Sequence, residues 1–227
     1  MSEREKILGR IREALSVPAP VPGSHDHQAP PVLQHRDDDV TRWLPAVGDT
    51  PEERVERFRA NAIELRADFH FFDTREEAGA KLLEIATAAG WKKVASHRGD
   101  LTDGACAALG LPLLRTDEPY DVHALEACDA GITECDALVA QTGTVIVTSR
   151  SAGGRALSVL PPHHVVLARR EQLVRDLPAA FALLKENYAG NFPSFMSLIT
   201  GPSRTGDIER ILVLGAHGPK KLTILCF

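Results

Sequence analysis

The chain reads as an α/β protein: a three-layer-like, mixed and largely parallel sheet flanked by helices. Three observations predict this. Short apolar runs alternate with helix-length segments between Thr50 and Leu114, the pattern of strand–helix–strand units. Two of the helix starts carry capping boxes, Thr50-x-x-Glu53 and Thr74-x-x-Glu77, in which hydroxyl and carboxylate satisfy exposed backbone N–H groups. From Asp136 onward, β-like runs follow one another at short intervals, divided by turns rich in Gly and Pro.

Three segments are expected. Residues 1–15 place Ile7, Leu8, Ile11 and Leu15 on one face at helical spacing and form an amphipathic N-terminal helix. Residues 16–49 hold six of the chain's fifteen prolines and read as a flexible linker, since such a segment buries too little surface to offset its ordering entropy. His25, His27 and His35, and the run Asp37-Asp38-Asp39, are solvated linker residues on this reading. Residues 50–227 form the globular domain.

Within that domain, Thr50 opens a helix that buries Val55, Phe58, Ala62 and Leu65, with Pro51 at its first position. Asp68 to Phe72 reads as a strand, and the helix from Thr74 should stop at Gly90. Lys93–Ser96 and Leu111–Leu114 are strand candidates around a small-residue helix near Ala105–Leu109. Further strands are expected at 137–140, 144–148, 157–160, 165–168, 195–200, 211–214 and 222–227, with one more helix over Asp176–Asn187.

A chain of 227 residues that is 44% hydrophobic can bury a substantial core. Its net charge of -5 argues against general nucleic-acid binding, which requires a basic face. No apolar stretch reaches the roughly 18 residues of a membrane span, and Met1-Ser2-Glu3-Arg4-Glu5-Lys6 lacks the apolar core of a signal peptide. A cytoplasmic location is the expectation. The four cysteines, Cys106, Cys128, Cys135 and Cys226, form no C-x2-C pair, so no metal or iron–sulfur cofactor is expected in this chain.

The chemistry concentrates near the C-terminus. Gly201-Pro202-Ser203-Arg204-Thr205 follows an apolar run, and Gly215-Ala216-His217-Gly218-Pro219 precedes another. An Arg fork with Ser203 and Thr205 hydroxyls suits an anionic ligand beyond a strand's carboxyl end; the alternative is a rigid turn with Arg204 paired to Asp207 or Glu209. His217 suits proton transfer or ligand hydrogen bonding, or else a tight-turn hydrogen bond. Thr142-Gly143-Thr144 is either a hairpin turn or a phosphate-cradling loop, and Arg155 after Gly153-Gly154 offers a second cation. Of His163 and His164, one should pack and the other face the cleft; His163 is taken as the candidate contact. Glu134 and Asp136 flank Cys135 as a surface ion pair or, less simply, a carboxylate nucleophile. Ser151 and Ser158 lack a nucleophile-elbow context.

Taken together, Gly131-Ile132-Thr133, Thr142-Gly143-Thr144, Gly154-Arg155, Leu160-Pro161, His163 and the two C-terminal loops resemble the lactate utilization (LUD) domain family. The resemblance covers roughly Thr50 to the C-terminus. It implies a fold similar to ribose-5-phosphate isomerase and the CoA-transferases. It also implies a role in oxidising L-lactate to pyruvate beside partner proteins that carry iron–sulfur centres. Gln141 stands where that family often has an acidic residue, which removes a carboxylate from that position. Two other functions remain open on the residues alone: a stand-alone enzyme for a CoA ester or sugar phosphate, and a non-catalytic assembly module.

Overall fold

The computed structural model describes residues 3–16, 44–205, 213–215 and 217–227. Two compact units result, residues 1–43 and 44–227. In the first, α1 (Glu3–Ser16) is helical as the apolar spacing predicts, with Ile7 and Leu8 exposed. Most of the predicted linker, including its histidines and acidic run, lies outside the described residues, as do Asp207 and Glu209. The linker's last residues belong to the second unit, because Val47 is buried in its core.

The second unit opens with α2 (Pro51–Leu65), β1 (Asp68–Phe71), α3 (Arg75–Ala89), β2 (Val94–Ser96), α4 (Asp100–Leu109) and β3 (Leu113–Arg115). Both predicted capping boxes form: Thr50 accepts from the Glu53 N–H, and Thr74 from the Glu77 N–H. Gly90 ends α3 in the left-handed conformation. There follow a short helix α5 (Val122–Glu126), β4 (Ala130–Glu134), β5 (Ala137–Val139), β6 (Thr144–Thr148), β7 (His163–Ala168) and β8 (Leu173–Val174). The chain finishes with α6 (Leu177–Tyr188), β9 (Met196–Ile199), β10 (Arg204–Thr205), β11 (Val213–Leu214) and β12 (Lys221–Cys226).

Six strands form one parallel sheet in the order β1-β12-β7-β4-β2-β3. A second sheet, β8-β5-β6-β9, is mixed: β5 runs parallel to β8, while β6 is antiparallel to both β5 and β9. β10 and β11 make a small antiparallel ribbon. The α/β class and the largely parallel sheet are as predicted, but the strands divide between two packed sheets rather than one.

Alternation along β7 shows how the layers meet. Val165 and Leu167 pack against Ala78 and Leu82 of α3 and Leu101 of α4. Val166 and Ala168 face the other way, onto Phe58 of α2 and Leu138, Val145 and Val147 of the second sheet. The far side of that second sheet is covered by Ala180 and Leu184 of α6. The central strands β7 and β12 are buried on both faces from their second residue on and lack polar alternation there, whereas the edge strand β1, Asp68-Phe69-His70-Phe71, keeps it.

The sequence reading differs from the structure at several elements; α5, β8 and β10 have no counterpart in it. Residues 157–160 form turns, not a strand: the Val159 and Leu160 N–H groups both donate to the Ala156 carbonyl. β4, rich in small residues, carries no strong strand signal, yet it is central in the sheet.

Candidate functional site

The loop that opens at Gly201 is shaped by its first residue. Gly201 has φ 88°, and a Cβ there would lie 2.9 Å from the Leu65 carbonyl oxygen. Only glycine turns the chain there without strain. The loop is then tied to the one before β12: the Ser203 N–H donates to the Pro219 carbonyl at 2.9 Å, and the Gly215 N–H to the Ser203 carbonyl at 3.0 Å. The Lys220 N–H donates to the Pro162 carbonyl at 2.8 Å, which fixes both loops beside the start of β7.

This placement corrects the expectation that the loop lies beyond the carboxyl ends of the parallel strands. It does follow the carboxyl end of β9, but β9 belongs to the smaller sheet. Its antiparallel path carries the loop to the amino ends of β7 and β12.

A cleft of about 320 Å³ opens there. Ser203, Arg204 and His217 line it together with Gly218 and Pro219, and Ile199 and Leu222 add apolar wall. Among the described residues, Arg204 is the only charged side chain lining it, and its guanidinium has no ion-pair partner. The cleft thus presents, among the described residues, one positive charge at an exposed position, with a hydroxyl and an imidazole beside it.

His164 and Ser158 complete the floor, and both are buried. His164 Nε2 sits 2.9 Å from Thr133 Oγ1, while its Nδ1 has no hydrogen-bond partner among the described residues. Ser158 Oγ is likewise buried and unpartnered. Burial, helped by the neighbouring His163, pushes the His164 pKa down to about 3, so its ring is neutral near pH 7. The 157–160 turn reaches this floor because β4 has glycine opposite it: a Cβ on Gly131 would stand 2.4 Å from the Leu157 carbonyl oxygen.

His163, Arg155 and the Thr142-Gly143-Thr144 turn lie elsewhere. His163 points to the other face of the sheet, where Nε2 meets Thr223 Oγ1 at 2.9 Å and Trp91 packs edge-on against the ring. Arg155 donates to the Ser194 carbonyl at 2.9 Å and lies over Phe195, outside the cleft lining. Thr142-Gly143-Thr144 is a hairpin turn, with Gly143 at φ 65° and Asn61 of α2 donating to the Ala140 and Gln141 carbonyls. Thr144 Oγ1 meets Thr200 Oγ1 at 2.9 Å, which links that turn to the residue before Gly201. Thr205 pairs with Val213 in the ribbon.

Glu134 and Asp136 do not form a surface pair. Glu134 accepts from the Leu101 N–H at 2.8 Å near the start of α4. Asp136 is buried, accepting from Ser151 Oγ and the Tyr188 hydroxyl. The four cysteines are free and buried; burial pushes the Cys226 thiol up to about 12 and the Cys135 thiol well above its ordinary value, which leaves them poor nucleophiles. Among the described residues, no three His, Cys, Asp or Glu side chains come together as a metal site. No described helix is long and apolar enough to cross a membrane.

A larger hollow of about 660 Å³ is lined by Arg54, Arg59 and Arg170, but Glu52, Glu56 and Glu171 line it too. Arg170 is already bonded to the Phe72 carbonyl and Asp73, and Arg59 lies 3.5 Å from Glu56. It offers less to an anion than the cleft at Arg204.

Residues 121–226, which contain every residue lining the cleft, match the LUD domain family. The chain is similar to lactate utilization protein C of Geobacillus kaustophilus (strain HTA426), at 27% identity over 198 residues, 79% of this chain and 80% of that protein. It is also similar to lactate utilization protein C of Deinococcus radiodurans, at 31% identity over 118 residues, 52% of this chain and 55% of that protein. Among solved structures, a DUF162 family protein from Deinococcus radiodurans superposes with a TM-score of 0.60 at 25% identity, covering 78% of this chain and 98% of that one.

Proposed function

We propose that this chain is a component of a cytoplasmic system that oxidises L-lactate to pyruvate, and that the Arg204 cleft holds the acid. The observation that carries the reading is the exposed guanidinium of Arg204, which has no ion-pair partner among the described residues, in a cleft that also offers Ser203 and His217. A planar guanidinium pairs with a carboxylate through two parallel N–H bonds, and the Ser203 hydroxyl can add a third donor. His217, across the same cleft, accepts the proton from the lactate hydroxyl. Lactate gives up two electrons and two protons on becoming pyruvate. His217 takes the hydroxyl proton; the C2 hydrogen and both electrons would leave to a redox centre on iron–sulfur partner proteins, while this chain supplies binding and orientation.

The test is lactate-dependent growth of source cells in which the native chain is replaced by an Arg204→Ala variant. Arg204 is exposed, so the variant should fold with an unchanged thermal midpoint. The reading predicts loss of growth on L-lactate alone. Unimpaired growth sinks it.

A further inference from the structure

A cleft that held only a carboxylate would need no polar atoms on its floor. This one has two, Ser158 Oγ and His164 Nδ1, on residues only 3% and 1% exposed, and neither has a hydrogen-bond partner among the described residues. Buried hydroxyl and imidazole groups without partners are costly, and native proteins seldom carry them without a use. Both sit in the cleft that contains Arg204, and each belongs to a different element: Ser158 to the 157–160 turn, His164 to β7.

We infer that Ser158 and His164 are specificity-determining residues that bind the oxygen on C2 of a 2-hydroxy or 2-oxo acid while Arg204 binds its carboxylate. This rests on the carboxylate reading above and adds which acids the cleft accepts. The chemistry fits both partners of a lactate–pyruvate pair. A serine hydroxyl donates or accepts, so it serves a hydroxyl and a ketone alike. The role of His164 Nδ1 follows from Thr133: when the Thr133 hydroxyl donates to Nε2, Nδ1 carries the proton and donates; when it accepts, Nδ1 is an acceptor. In the donating arrangement Nδ1 serves the C2 oxygen of the hydroxy acid and of the oxo acid alike, and leaves the lactate hydroxyl proton to His217. The ring stays neutral throughout, because burial holds its pKa near 3.

A site built to hydrogen-bond a substrate oxygen rejects an analogue that lacks it, since the buried groups are then left unpaired. The test is calorimetric titration of the full chain with L-lactate and with propionate, the same acid without the C2 oxygen, repeated on Ser158→Ala and His164→Asn. The wild type should prefer L-lactate by at least about tenfold, and each variant should lose most of that preference while holding propionate as tightly as before. Ser158→Ala removes an unpartnered buried hydroxyl and should not lower the thermal midpoint, so the test survives even if His164→Asn does not fold. Equal affinities in the wild type, or a preference that persists in Ser158→Ala, overturn the inference and leave the Arg204 reading standing. Failure of the wild type to bind either acid overturns both.

Discussion

Two histidines buried side by side at the start of β7 make the stability of this protein sensitive to mild acid. Burial lowers His163 to about 4, with Lys221 adding to the effect and Asp68 partly opposing it, and lowers His164 to about 3; both would titrate at 6.5 in the unfolded chain. The folded protein keeps both rings neutral at pH 5, whereas the unfolded chain protonates them. The unfolded state thus binds more protons below pH 6.5, and stability falls as pH drops through 6.5, levelling only below about 4 for His163 and about 3 for His164. At pH 5 the gap is about 1.5 units for each ring, or about 2 kcal/mol each and about 4 kcal/mol for the pair. That is a large part of the ~5–15 kcal/mol of a typical domain. With a urea slope of about 2–3 kcal/mol per molar, the unfolding midpoint should fall by about 1.3–2 M between pH 7 and pH 5. Equilibrium urea unfolding at half-unit pH steps measures this directly. His163→Gln should roughly halve the dependence by removing one of the two groups. A midpoint equal at pH 7 and pH 5, or a dependence unchanged in His163→Gln, would refute the reasoning.

Two glycines give further tests of how the cleft is built. Gly201→Ala forces a side chain into a left-handed conformation against the Leu65 carbonyl, so it should cost about 1–2 kcal/mol in thermal or urea unfolding and weaken L-lactate binding. Full stability in that variant would mean the loop does not depend on the Gly201 turn. Gly131→Ala must push back the Leu157 carbonyl and with it Ser158; the expected outcome is a loss of about 1–3 kcal/mol and of the preference for lactate over propionate. A variant that keeps its preference would show that the 157–160 turn is not seated on β4.

Much of the fold was legible in local sequence. The two Thr/Glu capping boxes, Gly90 and Pro178 mark helix ends through chemistry that acts within a few residues, and those helices form where expected. The division into two sheets was not legible, because strand partners are chosen by long-range packing and both faces of β7 are apolar. β4 escaped notice for a related reason: Gly131 is there to admit the 157–160 turn, and glycine weakens any strand signal.

The site divides in the same way. Ser203, Arg204 and His217 announce themselves as reactive residues in Gly-Pro loops, and the structure brings all three to one cleft. Which of His163 and His164 faces that cleft depends on strand parity, and parity is unreadable where Val165, Val166, Leu167 and Ala168 are all buried. Ser158 gives no sequence signal of its own; a serine among Leu157, Val159 and Leu160 reads as filler until burial leaves its hydroxyl without a partner among the described residues. Arg155 shows the opposite failure: a prominent cation in a Gly-Gly loop spends its guanidinium on the Ser194 carbonyl and Phe195.

The central claim is that Arg204 holds the carboxylate of a small acid, and calorimetric titration of the purified chain with L-lactate and pyruvate tests it most directly. The account predicts saturable one-to-one binding that Arg204→Ala abolishes without changing the thermal midpoint. Binding of equal strength in Arg204→Ala, or none in the wild type, would contradict it.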